Sequence, residues 1–286
     1  MEFLGKKIDV LDDGFVRVVD VMGDDAAVVQ AARVSYGDGT KKISEDKALI
    51  RYLMRHGHTS PFEMCEIKFH LRVPMDCWRQ WTRHRTASIN EYSTRYSIAL
   101  DATQKTAPGM WRKQSSKNKQ GSDGFFDEEV GAELSRAEAE LHSLARKTYE
   151  HRLALGVARE QARKDLPLCT YTEAYWKIDL HNLLRFLSLR MHPTAQYEIR
   201  AYAFVIWEDV VKPWVPLTAH AFEDYVLGSM TFSVPELQML KLLIAGQSRQ
   251  EIENAYKCFG WASPDCGERR DFEFKVALLG IKLPST

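Results

Sequence analysis

The stretch Arg83-His84-Arg85-Thr86-Ala87-Ser88-Ile89-Asn90-Glu91-Tyr92-Ser93-Thr94-Arg95 gathers groups that can hold an anion. Three side chains that can be cationic come first, and a fourth, Arg95, lies ten residues after Arg85. Guanidinium forks match phosphate oxygens two at a time. The hydroxyls, amide and carboxylate between them would sort the rest of a ligand by hydrogen bonding. The same composition also describes a solvated helix end and turn, so residue types alone leave both readings open. Ser93 lacks the base and oriented partner that a nucleophilic serine needs. His56 and His58 lie close in sequence with no third ligand nearby, which is weak support for a metal, and no metal is expected. Cys65 falls on the apolar face of a strand, while Cys77 and Cys169 are followed by apolar or hydroxyl neighbours that would not favour a thiolate.

The elements that must position these groups can be read from periodicity. Ile8 to Met22 is apolar and β-branched around Asp12-Asp13-Gly14, which predicts two short strands and a turn. Asp24 or Asp25 would cap a helix running through Ala32, and Ser44 the next helix, with Gly57 as its stop. Residues 65–73 alternate strictly: Cys65, Ile67, Phe69, Leu71 and Val73 against Glu66, Lys68, His70 and Arg72. That period of two predicts one buried face and a largely antiparallel sheet. Met75, Trp78 and Trp81 have helical spacing, so the arginine run starts at a helix end and continues into a polar loop. Residues 101–126 read as a mobile surface excursion. A long helix follows with a stripe of Leu134, Ala137, Leu141, Leu144 and Thr148, closed by Gly156. Further helices carry Arg159 and Arg163; Leu180, Leu184, Leu187 and Met191, stopped by Pro193; and Ile199, Tyr202, Ile206 and Val210, stopped by Pro213. Two capping boxes, Ser233-x-x-Glu236 and Ser248-x-x-Glu251, predict helices at 234–245 and 249–259.

The order of residues is more specific than their types. Arg83-His84-Arg85, seven residues, then Ser93 matches the RHR-x7-S signature of the flavin-dependent thymidylate synthases. The chain resembles that family from about Lys7 to about Tyr225. The likeness includes Ala31-Ala32-Arg33-Val34-Ser35, His56-Gly57-His58-Thr59-Ser60-Pro61-Phe62-Glu63, Arg79-Gln80-Trp81 and Leu189-Arg190. The resemblance implies an enzyme that methylates dUMP to dTMP. 5,10-Methylenetetrahydrofolate would give the carbon, and FADH2, regenerated by NADPH, the hydride. It also implies a homotetramer with active sites between subunits. The matching dUMP positions are Gln80, Trp81, Thr82, Arg83, Glu91, Tyr92, Ser93, Thr94, Arg95, Arg163 and Arg190, with Arg190 as the catalytic arginine. The matching FAD positions are Ser35, His58, Ser60, Arg83, His84, Arg85, Glu91, Asp179, His181 and Arg185. Ser60 stands where the family often has threonine. Asp179 and Arg185 stand where asparagine is common, so a donor is lost at one position and a positive charge is added at the other.

These readings together predict an α+β fold: a mixed, mainly antiparallel sheet with several helices in residues 1–230, and a helical C-terminal extension at 231–286. The chain is 286 residues long, 45% apolar and 27% charged, which is ordinary for a soluble globular protein. Lysine plus arginine equals aspartate plus glutamate at 39 each, so any anion site must come from local clustering. That balance argues against a general nucleic-acid binder, although a helix pair with a glycine turn can read DNA. Five cysteines without a CxxC, and no run of membrane-spanning length, suggest a reduced, cytoplasmic protein. Two rival readings remain: a flavin-binding regulator that lost catalysis, and an arginine-rich nucleic-acid module.

Overall fold

The computed structural model describes residues 1–34, 43–94, 102–116 and 121–283, with only the backbone given for 43–45. Ser35 and Arg95, both expected at the site, lie outside the described residues. The chain divides into two compact units, Met1–Leu227 and Gly228–Thr286.

The first unit opens with β1 (Lys7–Val10) and β2 (Gly14–Met22), paired antiparallel from Lys7 with Arg17 to Val10 with Gly14. A Cβ at Gly14 would sit 1.8 Å from the Tyr202 hydroxyl, which itself donates to the Arg72 carbonyl at 2.6 Å. Only glycine allows that approach. Asp24 caps α1 (Asp25–Arg33), its carboxylate accepting from the Ala26 and Ala27 amides. Next come α2 (Ile43–Arg55), α3 (Ser60–Glu63), β3 (Glu66–Pro74), α4 (Met75–Trp81) and β4 (Ser88–Glu91). Ser44 falls inside α2 and does not precede it.

A small hairpin, β5 (Arg112–Gln114) and β6 (Ser122–Phe125), precedes α5 (Glu128–Ala154) and α6 (Arg159–Ala162). Then follow β7 (Tyr171–Asp179), α7 (Leu180–Arg190), α8 (Tyr197–Val205), α9 (Lys212–Trp214) and α10 (Pro216–Phe222). The chain widens into a π-helix at Ile206–Val211, so Pro213 occupies the first turn of α9 instead of stopping the helix before it.

The sheet order is β1-β2-β3-β7-β4, and every strand pair in it is antiparallel. Among the described residues the one parallel pairing is an isolated bridge, Leu4 with Val18. β3 behaves as its alternation predicts: Cys65, Ile67, Phe69, Leu71 and Val73 are buried, and the four residues between them half-buried. β7, its partner along the full register from Glu66–Asp179 to Pro74–Tyr171, was not anticipated. The signal was present, because Ala174, Trp176 and Ile178 alternate with Glu173, Tyr175 and Lys177. Trp81, Trp176, Phe186 and Tyr202 form the aromatic centre of the core between the sheet and α4, α7 and α8.

The described part of 101–126 is hydrogen-bonded along α5. Trp111 Nε1 donates to Ser135 Oγ at 2.9 Å, the Thr106 amide donates to Glu138 at 2.8 Å, and Thr103 Oγ1 meets His142 Nδ1 at 3.1 Å. Gly131 lets the Pro108 carbonyl lie against the helix, where a Cβ would come within 1.9 Å. Consequently α5 turns a polar face inward, and its leucine stripe is not its buried side. Leu141 and Leu144 are 60% and 64% exposed.

The second unit holds α11 (Val234–Ile244), α12 (Arg249–Cys258) and α13 (Gly267–Leu278). Both capping boxes form as the sequence predicts. α13 was not anticipated, and it completes the unit's own core of Met239, Ile252, Tyr256, Trp261, Phe272 and Val276.

Candidate functional site

The arginine run leaves the end of α4, crosses Thr82–Ala87, and enters β4, the sheet's edge strand. Two cavities flank this strand at its opposite ends. One, of about 400 Å³, is lined by Arg83, His84, Arg85, Asn182, Arg185 and Arg190 among others. The second, of about 410 Å³, is lined by Glu91, Tyr92, Ser93, Thr94 and Arg163, with Arg79 and Lys164 beside them. β4 pairs with β7 from Ser88–Lys177 to Glu91–Ala174, which places the first cavity near Ile178 and the second near Tyr171 and Thr172. Its four residues of extended chain span about 13 Å.

In the first cavity Arg190 is held at two points. Its Nε donates to His84 Nε2 at 3.0 Å, and one amino group donates to the Gln80 carbonyl at 3.3 Å. Arg190 stands at the C-terminal end of α7, where partial negative charge favours a cation. Burial lowers its pKa from the ordinary value, yet a guanidinium stays protonated. His84 packs edge-on against Phe186 at 4.9 Å. Burial, then the Arg190 and Arg185 charges, bring its pKa down to about 4. It is therefore neutral near pH 7, and because Nε2 accepts from Arg190, Nδ1 carries the proton.

In the second cavity Arg163 donates to Thr94 Oγ1, and Thr172 Oγ1 donates to Glu91 at 3.0 Å.

A third cavity, of about 260 Å³, is mainly apolar. Leu53, Met54, Phe62, Leu184 and Phe222 line it, with His58, Thr59, His181, Arg185 and Ser188 as its polar residues. Arg185 lines both this cavity and the first one, so the added positive charge at 185 faces shared space. Asp179 is engaged locally: as N-cap of α7 it accepts from the Asn182 amide at 2.9 Å and from Asn182 Nδ2 at 2.8 Å. Aspartate caps a helix as well as asparagine does, which explains the residue type there.

Several expected contacts are placed elsewhere. Trp81 is fully buried between Trp176, Phe186 and Tyr202, so its indole packs the core and does not line a cavity. Thr82 Oγ1 donates back to the Arg79 carbonyl and closes α4. Ser60 is exposed at the start of α3 and lines none of the three cavities. His56 and His58 both pack on the Tyr52 ring. Three cysteines are poor nucleophiles: burial raises the Cys65 and Cys169 thiols to about 11, and Cys77 far higher. Sequence reasoning missed Asn182. Its spacing from Arg185 and Leu189 follows one helical face, the signal that would have identified it.

Residues 17–217 match the family described as thymidylate synthase complementing protein. The flavin-dependent thymidylate synthase of Wolbachia pipientis wMel is 54% identical over 239 residues, covering 84% of this chain and 84% of its own. That of Thermus thermophilus is 55% identical over 238 residues, covering 83% and 86%. That of Rickettsia conorii is 48% identical over 284 residues and covers 91% of this chain and 95% of its own, so it extends into the second unit. Among solved structures, a UMP/dUMP methylase PolB from Streptomyces cacaoi, bound with 5-Br dUMP, matches with a TM-score of 0.69 at 32% identity, covering 76% of this chain and 98% of that one. Identity of this extent, with the arginine run and its downstream serine in place, means that the chain belongs to the flavin-dependent thymidylate synthases.

Proposed function

We propose that this chain converts dUMP to dTMP, with 5,10-methylenetetrahydrofolate as carbon donor, FAD as cofactor and NADPH as reductant. The observation that carries this reading is the doubly anchored Arg190 beside a neutral His84 in a cationic cavity. Reaction at the pyrimidine ring builds negative charge on its oxygen and N3. A guanidinium fixed in advance stabilises that charge without reorganising. His84 holds Arg190 through Nε2 and keeps a proton on Nδ1 for a ligand acceptor. It does not serve as the acid, because its imidazole is already neutral.

The residues fit FAD. The apolar cavity suits a flat ring and the cationic cavity a pyrophosphate, and Arg185 serves both. When bound, FAD supplies the hydride. On this chain His58, Arg83, His84, Arg85, His181 and Arg185, which line these two cavities, are assigned to hold it, whereas Ser60 and Glu91 lie outside them. Asp179 is assigned to hold the start of α7.

For dUMP, Gln80, Arg83 and Arg190 lie at one end of β4, and Glu91, Tyr92, Ser93, Thr94 and Arg163 at the other. One small nucleotide does not need two cavities in one chain. The division supports a site assembled from the first cavity of one subunit and the second of another, in a homotetramer. The outward leucines of α5 support the same reading, because exposed apolar stripes mark interfaces. Among the described residues no helix is long and apolar enough to cross a membrane, and the five free cysteines support a cytoplasmic enzyme.

The deciding measurement is the visible spectrum of the purified protein, repeated anaerobically with NADPH, with and without dUMP. Oxidised-flavin bands that bleach on reduction are expected. A colourless protein that takes up no added FAD overturns the proposal. Ser93→Ala is expected to raise KM for dUMP about tenfold through one lost hydrogen bond to an anionic ligand, while saturated turnover persists. Complete loss of turnover with intact dUMP binding would instead make Ser93 a participant in the chemistry.

A further inference from the structure

Behind Gln80 stands a short relay of side chains with a fixed direction. Gln80 is on α4, and Asp76 lies one turn earlier on the same helix. Gln196, the residue before α8, bridges the two. Its Nε2 donates to Asp76 Oδ2 at 2.9 Å, and its Oε1 accepts from Gln80 Nε2 at 2.5 Å. All three side chains are partly buried, where water competes less for each bond.

Each bond constrains the next. An aspartate carboxylate only accepts, so Gln196 must turn its amino group to Asp76. Its carbonyl oxygen then faces Gln80, which must answer with its own amino group. The atom left over on Gln80 is Oε1, which has no partner among the described residues. Without Asp76 an amide can turn over at small cost, and Gln80 could offer either end. The main-chain carbonyl of Gln80 receives Arg190, so the backbone that carries this amide is joined directly to the catalytic arginine.

We propose that Asp76 and Gln196 are positioning residues that fix Gln80 as a hydrogen-bond acceptor toward the nucleotide. Gln80 then selects a ligand donor, either the uracil N3–H or the 3′-hydroxyl of the deoxyribose. A ligand with a lone pair at that point meets Oε1 unpaired and is rejected. The inference rests on the reading that dUMP binds at Gln80.

The test uses the full-length, FAD-loaded enzyme. Asp76→Asn leaves the direction of the relay undefined, and Gln196→Leu removes the link. Each is expected to raise KM for dUMP about tenfold, with kcat within about threefold of wild type. The double variant Asp76→Asn/Gln196→Glu rebuilds the direction in reversed chemistry. The asparagine amino group then donates to a carboxylate at 196, and that carboxylate accepts from Gln80. Recovery to within about threefold of wild-type KM is expected, a coupling that simple packing would not give.

Two analogues identify the donor. N3-methyl-dUMP and the 2′,3′-dideoxy nucleotide are compared on wild type and Gln196→Leu, and the one lacking the selected donor loses the difference between the two proteins. A double variant no better than Asp76→Asn, or an unchanged KM in Gln196→Leu at equal flavin content and melting temperature, overturns the relay. Wild-type protein that fails to bind dUMP would instead overturn the underlying assignment of the nucleotide site.

Discussion

Arg190→Ala is expected to lower kcat for dTMP formation by about 10²–10³, the usual cost of deleting a fixed donor to developing charge. Flavin content and the melt should stay close to wild type, because Arg190 anchors on neighbours that survive its loss. Arg190→Lys keeps the charge but loses the planar fork that reaches His84 and the Gln80 carbonyl together, so it should rescue only part of the rate.

A second readout is the histidine itself. The His84 pKa sits near 4 through burial, then through Arg190 and Arg185. Removing Arg190 takes away one of these causes, so the pKa rises toward, but not to, the ordinary 6.5. Above pH 6.5 the ring is neutral whether the chain is folded or unfolded, and it contributes nothing to pH dependence. Between 6.5 and 4 the unfolded chain takes up a proton that the folded chain refuses, so stability falls as pH falls. The variant should show a shallower fall across that window. A histidine NMR titration measures the shift directly. A kcat within about fivefold of wild type would remove Arg190 from the chemistry.

Mixing two inactive variants should restore activity. Arg190→Ala disables the first cavity and Arg163→Ala the second, and each alone should fall about a hundredfold or more. If a working site takes Arg190 from one subunit and Arg163 from another, random co-assembly leaves roughly a quarter of the sites with both residues intact. Co-expressed variants should thus recover roughly a quarter of wild-type turnover, an increase of more than tenfold over either parent. No recovery in mixed oligomers verified by mass would place both arginines in one chain's site.

The elements that were legible in the sequence are those whose signal is local. β3 alternates on its own, and the N-terminal hairpin and the two capping boxes carry their turn or cap in adjacent residues. β4 could not be read this way. All four of its residues are exposed, and it is a strand only because β7 supplies a register for it. β7 runs straight into α7 through Asp179, with no glycine or proline to mark the junction, and the leucine periodicity of the helix is the stronger local signal. α5 misled for a different reason. Its stripe of Leu134, Ala137, Leu141, Leu144 and Thr148 is the apolar pattern a core-facing helix carries, whereas Ser135, Glu138 and His142, half-buried, meet residues 103–111 by hydrogen bonds.

At the site, the resemblance supplied the residue names but not their distribution. Nothing local distinguishes Trp81, which fills the core, from Gln80 beside it. Nothing local links Gln196 to Asp76, 120 positions away.

The family signature counts seven residues between Arg85 and Ser93, and β4 gives that count a mechanical meaning. The interval holds a two-residue approach, the strand itself and Tyr92. An extended chain is a ruler marked every 3.3 Å or so, with alternate marks on opposite faces. Adding or removing one residue would move Ser93 by about one mark and turn Glu91 and Ser93 to the other side of the sheet. Apart from Glu91 and Tyr92, which line the second cavity, substitutions in the interval can be absorbed side chain by side chain, but a change in length cannot. The interval is also a spacer, and its length sets where Ser93 stands.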